Sequence, residues 1–418
     1  MKIVPTDNRW NDFCLNSDAW FWQTTDWINY NMAYKPELNS KNLSFMVEEN
    51  GQILAICPLL LKVDTHNSYD SQFEVYYSVY HSSTPGTRHD NHKVKVIRKY
   101  GEGWLVNCQC DKSRIVEFCV QYGELTPTPI LGIKEFSFGG GFTWSPAFSN
   151  DLNEKKREKV CDFIFKEIDR LAFENNVVRS SFTIYPLSFP KYNYLMKYGY
   201  INTSINTQII DLRQDLKTIH SAMSKGHDYD IDRGLKIFDA KIYDNKAIGY
   251  AFLKYHELHT KDAGRETRPQ LTWDMQQEWM DNGRAILIGV VLNYEWIGFS
   301  YIITYKKKAY YFSACSDSYH SDLPIGHVLT WKAIEYLKER GFEFFEIGWQ
   351  QYTPQPYDLC SDKEVAISHF KKGFGGNTVP LFRGEKYYSK EYFEKVWADR
   401  ISQYWGCSSA GRTAVLRC

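Results

Sequence analysis

Apolar residues at 329, 333, 334 and 337 recur at helical spacing and predict an amphipathic helix over 328–340. Pro324 suits the entry to that helix, where a missing N–H costs nothing, and Gly341 suits the left-handed stop that ends it. The aromatic and β-branched run 342–348 then reads as a strand, as does 309–315 on the other side of the loop. Strand, loop, helix and strand form one unit, and the same order recurs earlier in the chain. A strand over 133–138 leads through Gly139-Gly140-Gly141 to a helix over 153–175, whose Val160, Phe163, Ile164, Ile168, Leu171 and Ala172 share one face. The repetition predicts an internal structural duplication.

Around these units the pattern predicts a first helix over 20–33 and a hairpin of 43–49 and 52–59 turning at Asn50-Gly51, a strong short-range hairpin signal. Further on it predicts a strand over 207–212, helices over 247–263 and 271–282, and an antiparallel meander of 285–291, 296–305 and 309–315. A helix over 362–372 ends at Gly373, and 378–382 supplies a last strand. The Tyr- and His-containing tract 64–129 interrupts this order and reads as an ordered insertion, with strand or helix content at 104–106 and 114–118. These elements divide the chain into a first domain over 1–204 that carries the insertion, a second over 205–405, and a flexible tail over 406–418.

A length of 418 residues accommodates two domains or three. Lys plus Arg and Asp plus Glu both number 50, so no global field draws the chain to nucleic acid or to an acidic membrane surface. The ten cysteines include no CxxC pair and no regular framework, the polar N-terminal stretch lacks an apolar export segment, and no apolar run reaches membrane-spanning length. A reduced, cytoplasmic protein without a membrane span is the expectation. Aromatic residues reach 16%, with 30 Tyr and 13 Trp, enough to supply both core mass and stacking platforms.

The loop before the central helix carries the candidate chemistry. A helix start presents unpaired N–H groups and the positive end of a dipole, and so attracts phosphate. An ordinary βαβ unit without a ligand has the same pattern. His256 and His259, three apart on a helix, have no third partner in the pattern, and no metal site is expected.

Four stretches carry a resemblance: Leu323-Pro324-Ile325-Gly326-His327 before the helix, Gly341-Phe342-Glu343-Phe344-Phe345-Glu346-Ile347-Gly348 after it, Phe370-Lys371-Lys372-Gly373-Phe374-Gly375, and Ala263-Gly264-Arg265-Glu266-Thr267-Arg268. With these the chain resembles the FemAB-like group of the GNAT acyltransferases. The resemblance is good in the second half and an outline in the first. It implies an α/β fold of mixed α+β sheets, with two GNAT-like domains in tandem, each a mostly antiparallel sheet flanked by helices. Acyl-donor binding is then expected in one copy, and Gly139-Gly140-Gly141 in the other is read as a turn.

The resemblance also implies roles. The amides of Ile325, Gly326 and His327, with Ser321, would hold the phosphates of an acyl-CoA, and the stretch Ala314, Cys315, Ser316 and Asp317 would border the thioester, with an Ala314-region amide polarising its carbonyl. Glu346 would be the base, with His327 and His369 as alternatives to it. Lys371, Lys372, Phe374, Arg265, Arg268, Trp273 and Trp349 would border the acceptor. At 224–236, usually basic in relatives, three Asp dilute the charge and weaken a phosphate role for Lys225 and Arg233. FemAB-like proteins divide between acyl-CoA-dependent acylation of nucleotide-linked amino sugars, for surface polysaccharide, and aminoacyl-tRNA-dependent extension of peptidoglycan bridges. Neutral charge and the lack of sustained heptads favour the first; a non-catalytic binding protein on the same fold is the third possibility.

Overall fold

The computed structural model describes residues 1–64, 76–80, 88–100, 103–108, 117–119, 133–244 and 249–415. The hairpin forms where Asn50 and Gly51, at φ 51° and 82°, join Phe45–Glu49 to Gln52–Cys57 in an antiparallel pair. Both central residues of such a turn must be left-handed, which Asn and Gly tolerate best. Lys2–Pro5 and Ala147–Phe148 complete a four-stranded sheet. A second sheet in this half runs in the order 201–202, 383–387, 179–183, 133–136, 60–64, 41–42. Within the tract 64–129 the strands 76–80, 88–100, 103–108 and 117–119 form a separate four-stranded antiparallel sheet. The expectation for 114–116 lies outside the described residues.

The first helix differs from its expectation. A short 3-10 turn at Phe21–Gln23 precedes the helix Thr25–Tyr34, and Thr24 caps the helix by accepting from the Trp27 amide. Gln23 closes the turn by accepting the Trp20 amide, 3.0 Å, so local side-chain bonds split one apolar stretch into two elements.

In the second half, the strands Asp239–Tyr243, Ala285–Leu292, Glu295–Tyr305 and Lys308–Ser316 form an antiparallel meander. The helix Ile325–Glu339 crosses to Phe344–Gln350, which pairs parallel to Lys308–Ser316; Ile205–Asp211 and Asn377–Leu381 finish the sheet. One side of this sheet buries Ile210, Ile288, Ile302, Phe345 and Ile347 against Val328, Leu329 and Ile334 of the helix.

The duplication is visible in the two parallel units. Strand 133–136, the helix Glu154–Glu174 and strand 179–183 repeat the arrangement of 308–316, 325–339 and 344–350. The copies differ at one point. In the second, parallel pairing covers only 308–310 against 344–346, and the strands part beyond it. In the first, Phe138 and Gly141 close a tight turn, with Gly139 and Gly140 at φ 53° and 83°, and Thr143–Trp144 returns to pair with Phe182 and Thr183. The glycine run thus makes the expected turn, and the returning strand lies where the second copy has its opening.

The halves are joined through backbone and core. Strand 383–387 follows the second sheet in sequence yet pairs antiparallel with 179–183 of the first. The helix Lys390–Val415 continues from it through the stretch expected to be a flexible tail. A single apolar cluster holds Trp10, Trp20, Phe21 and Trp22 of the first half together with Tyr255, Trp279, Phe299 and Tyr301 of the second. The Trp20 indole N–H donates to the Tyr305 carbonyl, 3.0 Å, inside it.

Candidate active site at the strand split

Glu346 occupies the last paired position of the split, opposite Tyr310. Its side chain is 1% exposed. Oε1 accepts from the Thr207 hydroxyl, 2.7 Å, while Oε2 is buried without a partner among the described residues. Burial pushes the carboxyl up to about 7, and the Thr207 hydrogen bond and the Lys371 charge restrain the rise. Such a group changes charge near neutrality with a free oxygen to take a proton, as a general base requires.

Three further groups converge here. A Cβ placed on Gly348 would stand 3.0 Å from Lys371 Nζ and 3.7 Å from the Tyr310 hydroxyl, so glycine, at φ +96°, leaves room for both. Burial draws the Lys371 ammonium below the ordinary lysine value, with the Glu346 charge opposing. Burial, and then the Glu346 charge, raise the phenols of Tyr310 and Tyr185. The register slips at Ile347, where Gln208 faces Gly348 and Ile209 faces Glu346. Thr207 pairs directly with Trp349, and directly paired residues share a sheet face. The Thr207 bond to Glu346 therefore puts Glu346 and Trp349 on one side, towards the first half. Trp349 is 50% exposed there.

The expected donor loop stands beside the open arm of the split. Ile325 N–H donates to Leu323 O, 2.9 Å, and Val328 N–H to Pro324 O, 3.2 Å. The Gly326 and His327 amides have no acceptor among the described residues, leaving two donors at the positive end of a 15-residue helix. Gly326 also has a packing reason: a Cβ there would meet the Phe370 ring at 3.1 Å. The His327 imidazole packs on His227 and Phe370, and burial, with the His227 charge, lowers it to about 4. Ser321 is exposed at the end of a 3-10 turn. Lys308–Ser316 is paired to Glu295–Tyr305 along its length, so the other edge of Ala314 faces the opening. Cys315 is buried, the Ser316 amide donates to Asp262, 3.3 Å, and Asp317 is held by Lys261, 2.9 Å, and by its own turn.

The expected acceptor residues separate. Lys371 and Trp349 lie at the split, and Lys372 is exposed with its ammonium 5.5 Å over Tyr352. Phe374, 1% exposed, belongs to the core beneath the helix Ile325–Glu339. A Cβ at Gly373 would overlap the His227 ring at 2.1 Å, so this motif glycine permits close packing. Arg265 is exposed; Arg268 lies over Trp273, 4.5 Å, and bonds His259, 3.3 Å, and Tyr30, 3.4 Å. Trp273 is 1% exposed and donates to Glu266, 2.7 Å. Glu266 also pairs with His256, 3.0 Å, while His259 takes the Arg268 guanidinium. In the first turn of Lys225–Leu235, His227 bonds Phe370 O, 2.8 Å, while Arg233 reaches Asp322 O, 3.2 Å.

Sequence reasoning missed Thr207, Tyr310, Tyr185 and Arg383, which the fold and not the local sequence brings to the split, and it gave no reason for the glycine at 348. A cavity of about 1190 Å³ also lies between the halves, at the other end of strand 308–316, where Lys306 and Lys308 line it. Its charges are largely paired, as in Arg157 with Asp18, 2.6 Å, and Arg213 with Asp211, 2.7 Å. Tyr185 is the link between this cavity and Glu346. Glu346 differs from the groups lining this larger space in combining an unpartnered buried oxygen with titration near neutrality.

Residues 247–357 match the family model described as an acetyltransferase (GNAT) domain. No curated protein matches the chain. Among solved structures the chain is similar to FemX, with a TM-score of 0.57 and 10% identity, covering 95% of this chain and 100% of that one. A tandem GNAT protein from the clavulanic acid biosynthesis pathway aligns at TM-score 0.43 and 10% identity, over 92% and 98% of the two chains. The chain therefore carries a GNAT acyltransferase domain in its second half. Over nearly its whole length the fold is similar to that of FemX.

Proposed function

We propose that the protein is a cytoplasmic N-acyltransferase that moves an acyl group from an acyl-CoA thioester to the amino group of a nucleotide-linked amino sugar. The observation that carries the reading is Glu346: buried at the base of the split, with one oxygen free and its titration near neutrality. The acceptor nitrogen attacks the thioester carbonyl, Glu346 takes the proton the nitrogen sheds, and the CoA sulfur leaves with the electron pair of the broken C–S bond. The Gly326 and His327 amides hold the donor's phosphates, an Ala314-region amide polarises the carbonyl, and Trp349 offers a face to the acceptor.

The FemX-like fold also suits transfer from an aminoacyl-tRNA. A balanced charge of 50 basic and 50 acidic residues gives no general attraction to a polyanion. Among the described residues of the insertion, the strands 76–80, 88–100, 103–108 and 117–119 form a β-sheet, and none belongs to a helical arm. Both points favour the small donor. A mass-spectrometric screen of CoA thioesters against nucleotide amino sugars tests the reading. The expected result is an acylated sugar and free CoA thiol, both lost in Glu346→Gln. Product from aminoacyl-tRNA alone would establish the other donor, and binding of either donor without turnover would leave a non-catalytic binder.

A further inference from the structure

Arg383 is 6% exposed, yet among the described residues its guanidinium makes no hydrogen bond and no ion pair, and its Nε is buried without an acceptor. Its face lies 3.9 Å over the Phe142 ring and 6.0 Å from the Trp349 ring. A guanidinium keeps its charge in proteins, so one left without an acceptor is held at a cost that folding alone does not explain. Its neighbours show the contrast. Arg179 reaches Glu135 at 2.8 Å, and Arg400 holds Glu385 at 2.6 and 2.8 Å, which leaves Glu385 engaged elsewhere. Asp358 and Glu385 act on Arg383 only through their fields.

The backbone around Arg383 is fixed on both sides. It pairs with Thr183, its amide donates to Ser204 Oγ, 3.1 Å, and its carbonyl accepts from Asn193, 2.9 Å. The strand thus holds the side chain against Trp349, on the face that Glu346 shares. Phe142 follows the glycine turn of the first copy, so both halves contribute to the enclosure.

We infer that Arg383 is an oxyanion-binding residue, taking a phosphate or carboxylate of the acceptor that lies along Trp349, with the acceptor's amine directed to Glu346. The inference rests on the proposed transfer for the acceptor's identity, but the anion site itself can be measured without turnover. A planar fork with free N–H groups favours a two-oxygen ligand.

The test is calorimetric titration of inorganic pyrophosphate, and separately of succinate, into the whole protein with CoA present at saturation to occupy the donor loop. Wild type, Arg383→Lys and Arg383→Met are compared. The expected result is that one of the two anions binds the wild type and that affinity falls about tenfold or more in Arg383→Met, with Arg383→Lys between them. The anion that binds identifies the source as phosphate or carboxylate. Arg383→Met should also melt higher than wild type without ligand and lose the anion-dependent rise in Tm. Equal affinity in wild type and Arg383→Met, or no binding of either anion to wild type, overturns the inference, while thiol release from acyl-CoA in the same preparations reports on the transfer reaction separately. If neither variant folds, the guanidinium has a structural role and the inference also falls.

Discussion

Glu346 joins activity and stability in one side chain. Its folded titration near 7 lies above the ordinary 4.5, so between those values the folded protein binds more protons than the unfolded chain. Stability falls as pH rises through that window, by about 3 kcal/mol in all, and is level above it. Glu346→Gln removes the charge and keeps a hydrogen-bond partner for Thr207. Urea unfolding at pH 5 and pH 8 is expected to show the variant gaining on wild type only at the higher pH. The kcat/KM of wild type should climb through pH 7, where it is half-maximal, to a plateau above about pH 8, and the variant should lose about two orders of magnitude or more together with that limb. Gly348→Ala is a sharper probe of the same spot, because its Cβ would press on Lys371 Nζ at 3.0 Å from a left-handed backbone. It should lose about 1–2 kcal/mol of stability and raise KM for the acceptor more than KM for the donor. Glu346 and Lys371 were legible in the sequence because each sits in a motif beside a clear element boundary. Thr207 and Tyr310 were not, since they lie 139 and 36 residues from Glu346 and reach it through strand register alone.

Periodicity located the elements closely wherever packing follows one stripe: the helices at Glu154–Glu174, Gln270–Asp281 and Ile325–Glu339 end within a few residues of their expected bounds. It failed at 20–33, where the Thr24 cap and the Gln23 bond decide the boundary. It also left open why Gly326 is glycine. The loop reading has it admit a phosphate, and the structure adds the Phe370 ring at 3.1 Å. The two reasons separate in a pair of substitutions. Gly326→Ala asks Phe370 to yield by a few tenths of an ångström and leaves the amide in place, so CoA affinity by calorimetry should fall less than about tenfold. Gly326→Val should lose CoA binding and also lower Tm, because the branched side chain meets both the ligand space and the ring. A Gly326→Val protein that binds CoA as wild type does would overturn the phosphate-loop assignment.

At the scale of the molecule, the order of elements foretold two similar halves but not that the chain passes back between them, since a strand's partner is invisible in its own alternation. Strand 383–387 completes the first sheet, and its Glu385, 3% exposed, ties that sheet to the last helix. Arg400 donates to both Glu385 oxygens, Tyr387 adds a hydroxyl at 2.8 Å, and Arg179 stands 3.4 Å away. Burial works to raise the Glu385 carboxyl, and the Arg400 and Arg179 contacts outweigh it, so the group titrates below its ordinary value. That sign means the cluster stabilises the fold above the ordinary carboxylate range and loses this contribution as pH falls through the folded value. Removing one partner of a buried pair is worse than never having built it, because the other charge stays desolvated. Arg400→Ala should therefore cost about 2–4 kcal/mol at pH 7 and less at pH 3, while Arg400→Ala with Glu385→Gln should recover part of the loss. The halves share one aromatic cluster, from Trp20 and Phe21 to Trp279 and Tyr301, so urea unfolding followed by tryptophan fluorescence and far-UV circular dichroism should shift as one transition. Two separated transitions in Arg400→Ala, with the second unmoved from wild type, would show instead that the returning strand stabilises the first half alone and that the shared core does not couple the two.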